Sequence, residues 1–161
     1  MDRIAHESAS SGSTPVARVP LQVRLFSPIL KALLAARVPL GYNRLVTIRG
    51  RKSGVPRTAA IAVIEFSGRR WIWAPWGEVN WVRNLRAAGR ATINVRGREE
   101  EVRATELDAS QRVAFFRDVL APLARSLPFG VSFIRLVDGV DVSRPVEAAE
   151  GRRVFELHPV A

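Results

Sequence analysis

The stretch LVTIRGRKSGVPRTAAIAVIEFSGRRWIWAPW, Leu45–Trp76, decides how this chain folds. Arg44–Arg49 (RLVTIR) reads as a short strand, and Gly50–Pro56 (GRKSGVP) as a turn bounded by glycine and proline. Arg57–Phe66 (RTAAIAVIEF) is nearly unbroken apolar sequence, the pattern of a strand buried on both faces. Ser67-Gly68-Arg69 then reverses the chain into Arg70–Pro75, where Trp71 and Trp73 share one face and Ile72 and Ala74 the other.

Downstream the period changes. In Asn80–Ala88 the residues Trp81, Leu85 and Ala88 form a helical stripe, with Asn80 as N-cap and Gly89 as stop. Ala91–Arg96 alternates again, and a tight turn at Gly97 leads into Glu100–Leu107, so this pair is expected to be a hairpin. Asp108 and Gln111 have capping-box spacing and open a helix through Val113, Phe116, Val119 and Leu120, which Pro122 ends or kinks. Leu127–Val142 fits no single pattern, and Arg152–Leu157 reads as a last strand.

Upstream, residues 1–17 are mostly small and polar and read as a disordered tail. Ser27-Pro28 pairs an N-cap with a proline at the first helical position, opening a helix to about Arg37. Its apolar residues Ile29, Leu30, Leu33, Leu34 and Val38 fall at helical spacing, as in a helix packed on a core or a basic segment resting on an anionic membrane. The expectation is a mainly β domain with flanking helices, residues 18–161, carrying an N-terminal amphipathic helix.

Composition narrows the chemistry. The 161 residues include no cysteine, which removes thiolate metal sites, iron–sulfur clusters, disulfides and cysteine nucleophiles together. Two histidines, His6 near the start and His158 near the end, leave nothing for a histidine metal site or a catalytic triad. The net charge is +10, and +8 of it falls in residues 1–60, where ten basic side chains face only Asp2 and Glu7. No secretory signal and no run of about 18 apolar residues is present, which points to the cytoplasm, with peripheral contact to the inner face of the membrane through residues 18–38 left open.

The turn is the informative feature. Arg49, Arg51, Lys52 and Arg57 surround two glycines and Ser53 without an acid. Such a turn aims N–H groups and a hydroxyl at one point, and guanidinium groups beside it can clamp phosphate or carboxylate oxygens. It is not a phosphate loop of the nucleotide-hydrolase type, because Arg51 stands where glycine must precede the lysine. The glycine fingerprint of dinucleotide folds and the nucleophile elbow are missing, and Asp138–Asp141 is too short for a calcium loop. Asn80–Arg86 adds a helix start flanked by arginine, a second anion-favouring element. Trp73, Trp76 and Trp81 lie within nine residues, suited to walling a planar ring or to filling a core.

With those motifs in place, Leu45–Gly97 resembles the deazaflavin-dependent nitroreductase family. The turn Gly50–Arg57 follows its G-R-K-[ST]-G-x-P-R pattern, and Trp81-Val82-Arg83-Asn84-Leu85 its W-x-x-N-L. The resemblance implies an antiparallel split β-barrel of the flavin-reductase and pyridoxamine-oxidase type, and an oxidoreductase that uses coenzyme F420. Carried over residue by residue, Arg51, Lys52 and Ser53 hold the cofactor's phosphate region. Arg57, Thr58, Ala59, Ala60, Ile61 and Ala62 line the deazaflavin; Ala74, Pro75 and Trp76 face it from the next strand. Asn80, Trp81, Val82, Arg83 and Asn84 close the site. The implied reaction is hydride transfer to a hydrophobic, electron-poor acceptor: a quinone, an activated enone or a nitroaromatic. Members acting on nitro compounds carry C-terminal tyrosines, where this chain offers Phe129, Phe133 and Phe155; Tyr42, its single tyrosine, is the one phenol available as a proton donor.

Three other readings remain at this point: the same barrel holding FMN, a deazaflavin carrier without turnover, and a basic nucleic-acid-binding module. The nearly neutral last two-thirds of the chain count against an extended nucleic-acid track. The oligomeric state is open.

Overall fold

In the computed structural model, which describes residues 42–160, six strands close into a barrel. The elements are β1 (Asn43–Arg49), β2 (Pro56–Phe66), β3 (Arg69–Ala74), α1 (Asn80–Ala88), β4 (Arg90–Val95), β5 (Arg98–Glu106), α2 (Ala109–Phe115), α3 (Ala121–Ser126), α4 (Gly130–Asp138), α5 (Pro145–Ala149) and β6 (Arg153–Pro159). Around the barrel the order is β1-β2-β3-β6-β5-β4, with β4 returning to β1. All six pairings are antiparallel. This is the mainly β, antiparallel split barrel with flanking helices that the sequence led us to expect. The predicted tail over residues 1–17 and the predicted helix over Ser27–Val38 lie outside the described residues.

Two apolar clusters account for the alternation in the strands. Inside the barrel sit Val46, Ile48, Ile61, Val63, Ile72, Ile93, Val102, Phe155 and Leu157, joined by Val82 and Leu85 of α1. Against the outer face of β3 a helical layer packs Phe115, Phe116, Leu120, Ala124 and Ala148 onto Trp71 and Trp73. The two tryptophans therefore share one face and Ile72 and Ala74 the other, as their spacing predicts. Trp73 meets Phe116 edge-on, with ring centroids 5.5 Å apart, and Trp71 meets Phe115 at 5.9 Å. Removing a ring as buried as that of Phe116 typically costs about 3–5 kcal/mol.

Several local expectations need correction. The first three residues of β2, Pro56–Thr58, are exposed and Ala59 and Ala60 only partly buried, so the strand is not buried on both faces along its whole length. In α1 the N-cap is Val79, without a side-chain capping bond, and Asn80 is already helical. The fully buried residues of α1 are Val82 and Leu85, while Trp81 and Ala88 are only partly covered. The Asp108–Gln111 capping box forms in both directions, at 2.8 and 2.9 Å. Pro122 neither ends nor sharply breaks the helix that follows. Phe116–Leu120 widens into a π-turn whose closing bond runs from the Ala121 N–H to the Phe116 carbonyl, and Pro122 then falls in the first turn of α3, where its missing N–H costs little. Among the described residues, no single helix is long and apolar enough to cross a membrane.

Candidate active site

The cationic turn is built by the barrel and held by its own backbone. β1 and β2 pair up to Arg49 opposite Pro56, leaving Gly50–Val55 to reverse the chain. Gly50 N–H donates to the Val55 carbonyl (2.9 Å) and Gly54 N–H to the Gly50 carbonyl (2.8 Å). Gly54 adopts φ +68°, a left-handed conformation that glycine takes without strain. The Ser53 hydroxyl oxygen accepts from the Val55 N–H at 3.3 Å, so its own hydrogen remains available to a ligand.

Helix α1 clamps this turn from the side. The Asn84 Oδ1 accepts from both the backbone N–H of Arg51 (3.2 Å) and its guanidinium (2.9 Å). With no side-chain cap at Val79, the first N–H groups of α1 stay free at the same mouth, where an anion is favoured. Between turn and helix lies a cavity of about 580 Å³, lined by Ile48, Gly50, Arg51, Lys52, Ser53, Arg57, Thr58, Ala59, Val79, Asn80, Trp81 and Asn84. That volume is within the usual range for small-molecule sites. One wall is apolar (Ile48, Ala59, Val79, Trp81), and Trp81 is braced from behind by Phe155 at 6.2 Å. The other edge is cationic. Arg51, Lys52 and Arg57 make no ion pair with a carboxylate among the described residues.

Behind α1 the charges are matched instead. Glu78, just before the helix, accepts from Arg86 at 2.8 and 3.0 Å and from Arg153 of β6 at 2.7 Å. Arg86 also donates to Glu106 of β5 at 2.6 and 2.7 Å. These charge-assisted bonds fasten α1 to two strands. The Arg86 bond foremost, with Arg153 adding to it, holds the Glu78 carboxyl down to about 2. Its two carboxylate partners push the Arg86 guanidinium up.

Nine of the residues singled out from sequence meet at the cavity: Arg51, Lys52, Ser53, Arg57, Thr58, Ala59, Asn80, Trp81 and Asn84. Ala60, Ile61, Ala62, Ala74, Pro75, Trp76, Val82 and Arg83 do not line it; Ile61, Ala74 and Val82 are buried in the barrel interior. Trp73 belongs to the helical layer and does not line the cavity. Phe129 and Phe133 are exposed on the helical layer and Phe155 is core, so none of the three phenylalanines lines the cavity. Tyr42 lies at the opposite end of β1 from the turn, its carbonyl accepting from Val63 N–H and its ring packed on the helical cluster. Sequence reasoning missed Ile48, Gly50 and Val79. The alternation of β1 and the register Ile48↔Arg57 bring Ile48 to the site.

The barrel thus sets open cations along one edge of an apolar-walled cavity, an arrangement that favours an anion beside an apolar group. The chain belongs to the F420H(2)-dependent quinone reductase family, whose model matches residues 31–125. It is an F420H2-dependent reductase, and its cofactor is coenzyme F420. Among solved structures, an F420-H2 dependent reductase is 17% identical, with a TM-score of 0.48 over 73% of this chain and 94% of its own. A conserved hypothetical protein from Mycobacterium tuberculosis is 16% identical, with a TM-score of 0.47 over 81% of each chain. The heme storage protein HutZ from Vibrio cholerae is 14% identical, with a TM-score of 0.47 over 83% of this chain and 89% of its own. No curated protein sequence matches the chain.

Proposed function

We propose that the 580 Å³ cavity is where the cofactor binds, and that the protein delivers its hydride to a quinone. The single observation that carries the placement is the set of three cations, Arg51, Lys52 and Arg57, left without carboxylates at the rim of an apolar wall. Coenzyme F420 supplies a hydride when it is bound in its reduced form. The chain's residues do the rest. Arg51, Lys52 and Ser53, with the backbone N–H groups of Lys52 and Ser53, would hold the anionic end; Ile48, Ala59, Val79 and Trp81 would wall the ring and exclude water.

A quinone suits the lining better than the other acceptors. Among the described residues the cavity is lined by no carboxylate, histidine or phenol, which leaves the Lys52 ammonium and solvent as sources of a proton for the product. A quinone that accepts hydride becomes a hydroquinone anion, which is stable enough to collect its proton from solvent and is favoured by nearby cations. The description of the family names the same acceptor class. The test compares a naphthoquinone, an activated enone and a nitroaromatic as acceptors for reduced F420, followed by the return of the oxidised deazaflavin's absorbance. The quinone is expected to give the highest kcat/KM. A nitroaromatic or enone turned over faster would overturn the acceptor assignment.

A further inference from the structure

The barrel has a second opening beside the same turn, and it shares no lining residue with the 580 Å³ cavity. It lies at the seam between β1 and β4, the shortest pairing of the six. Val46↔Ile93 and Thr47↔Thr92 are matched there, against seven positions between β1 and β2. Two residues further along, the same register would set Arg49 opposite Arg90, and the pairing stops short of it. Arg90 in turn stands opposite Arg103 of β5. Directly opposed like charges disfavour a ladder, so Arg49 facing Arg90 gives the seam a physical reason to part. Thr47 and Arg49 alternate with buried Val46 and Ile48, and Arg90 and Thr92 with buried Ala91 and Ile93, so these four side chains face outward.

The parted strands border a cavity of about 470 Å³ with Arg49 contributed by β1 and Arg90 by β4. Arg49 makes no ion pair among the described residues; its Nε donates to the Gly54 carbonyl at 3.3 Å. Arg90 meets Glu101, the one acid of the lining, through a single 3.2 Å contact in which both side chains are more than half exposed. Such a pair is weak, and an incoming anion can replace it. Thr92 adds a hydroxyl beside Arg90, while the Thr47 hydroxyl is engaged with that of Thr58 at 2.8 Å. Two guanidinium forks on separate strands suit two planar oxyanions carried by one molecule. No aromatic side chain lines the opening, so nothing there stacks on a ring or a base, and its volume is that of a small-molecule site. We propose that the β1–β4 seam is a second binding site, separate from the cofactor cavity, for a small acyclic di- or tricarboxylate. Its carboxylates bridge Arg49 and Arg90 and displace Glu101 into solvent. The bridge cancels the repulsion between the two strands, so the bound acid draws the seam together.

The test first strips the 580 Å³ cavity, whose own cations would also attract an acid. Citrate titrated calorimetrically into full-length Lys52→Ala/Arg57→Ala should bind saturably at one site per chain, and acetate at least about tenfold more weakly. Adding Arg49→Gln/Arg90→Gln to that background should lower the citrate affinity at least about tenfold, through the loss of two charge-assisted contacts. Absence of saturable binding in the first variant, or equal binding in the second, would overturn the proposal. Pyrophosphate held more tightly than citrate would overturn the carboxylate class. Hydrogen exchange on the unmodified full-length chain makes the result independent of how the variants fold. Saturating citrate should slow the amides of Ile48, Arg49, Arg90 and Ala91 at least about threefold. Unchanged exchange at all four would overturn the proposal as well. No cofactor enters these measurements, so their failure leaves the placement of F420 standing, and the reverse holds too.

Discussion

Two groups of arginines flank helix α1, and they are treated in opposite ways. Behind the helix, Arg86 and Arg153 converge on Glu78, and Arg86 reaches Glu106 as well. In front of it, Arg51, Lys52 and Arg57 border the cavity with no carboxylate partner among the described residues. The same helix supplies both sides: Arg86 anchors it to the barrel, and Asn84 holds the Arg51 guanidinium with a neutral oxygen. An amide can orient a guanidinium without neutralising it, whereas a carboxylate would compete with any incoming anion. Matched arginines serve the fold, and on the proposed reading the unmatched cations are kept for the cofactor.

That contrast gives its largest expected effect at the front. Lys52→Ala combined with Arg57→Ala removes two unmatched cations and should weaken F420 binding about ten- to hundredfold, since a charge-assisted bond to a sheltered anion contributes about 1.5–3 kcal/mol and an exposed one less. The melting temperature should move by no more than about 2 °C, because no internal partner is left stranded. A fluorescence titration of the cofactor beside a thermal melt reads both numbers. A large loss of stability with unchanged affinity would invert the comparison.

The rear group should behave in reverse. Glu78 is only 14% exposed and ties α1 to β6. Glu78→Gln should lower stability by about 1–3 kcal/mol, between the values for exposed and buried pairs, while F420 affinity changes less than in the front variant. Acidification offers an independent check. The Glu78 carboxyl sits at about 2 in the folded chain, below its ordinary 4.5. Its contribution is therefore complete above about pH 4.5 and is lost as the pH falls through about 2. Denaturant midpoints measured from pH 6 to pH 2 should fall more steeply for the unmodified chain than for Glu78→Gln. Parallel curves would remove Glu78 from the account.

How much of this was legible in the sequence follows from the range of each interaction. The strands, the turn and the hairpin at Gly97 are local patterns; they appear in place, with φ of +52° at Arg96 and +83° at Gly97 giving the turn expected of a two-residue hairpin. Nine residues of the candidate site were also readable, because they lie on the turn, on β2 just after it, and on the first turns of α1. The misses are long-range. Ile48 reaches the site through strand register, and the choice between Val82 and Trp81 as the buried residue depends on how α1 meets the barrel interior. Trp73 sides with Phe116, a partner forty-three residues away whose packing no local pattern encodes. Pro122 misled for a related reason: a π-turn absorbed it, and what holds that turn is the burial of Phe116 and Leu120.

The smallest effect in the comparison is expected at the residue that joins the two sides. Asn84 touches no carboxylate; its one side-chain oxygen holds Arg51 twice, through the backbone and through the guanidinium. In Asn84→Ala the turn keeps its internal bonds at Gly50 and Gly54, so the cations remain but lose their fixed direction. The expected loss of F420 affinity is about three- to tenfold, corresponding to one partly exposed hydrogen-bonded contact of about 1 kcal/mol. Asn84→Asp separates orientation from charge. The carboxylate would still align Arg51 but would neutralise it, turning a front-side cation into a rear-type pair. If unmatched charge is what binds the cofactor, Asn84→Asp should bind more weakly than Asn84→Ala, despite preserving the geometry better. If the aspartate variant binds as well as the unmodified chain, alignment alone matters, and the distinction between the two faces of α1 fails.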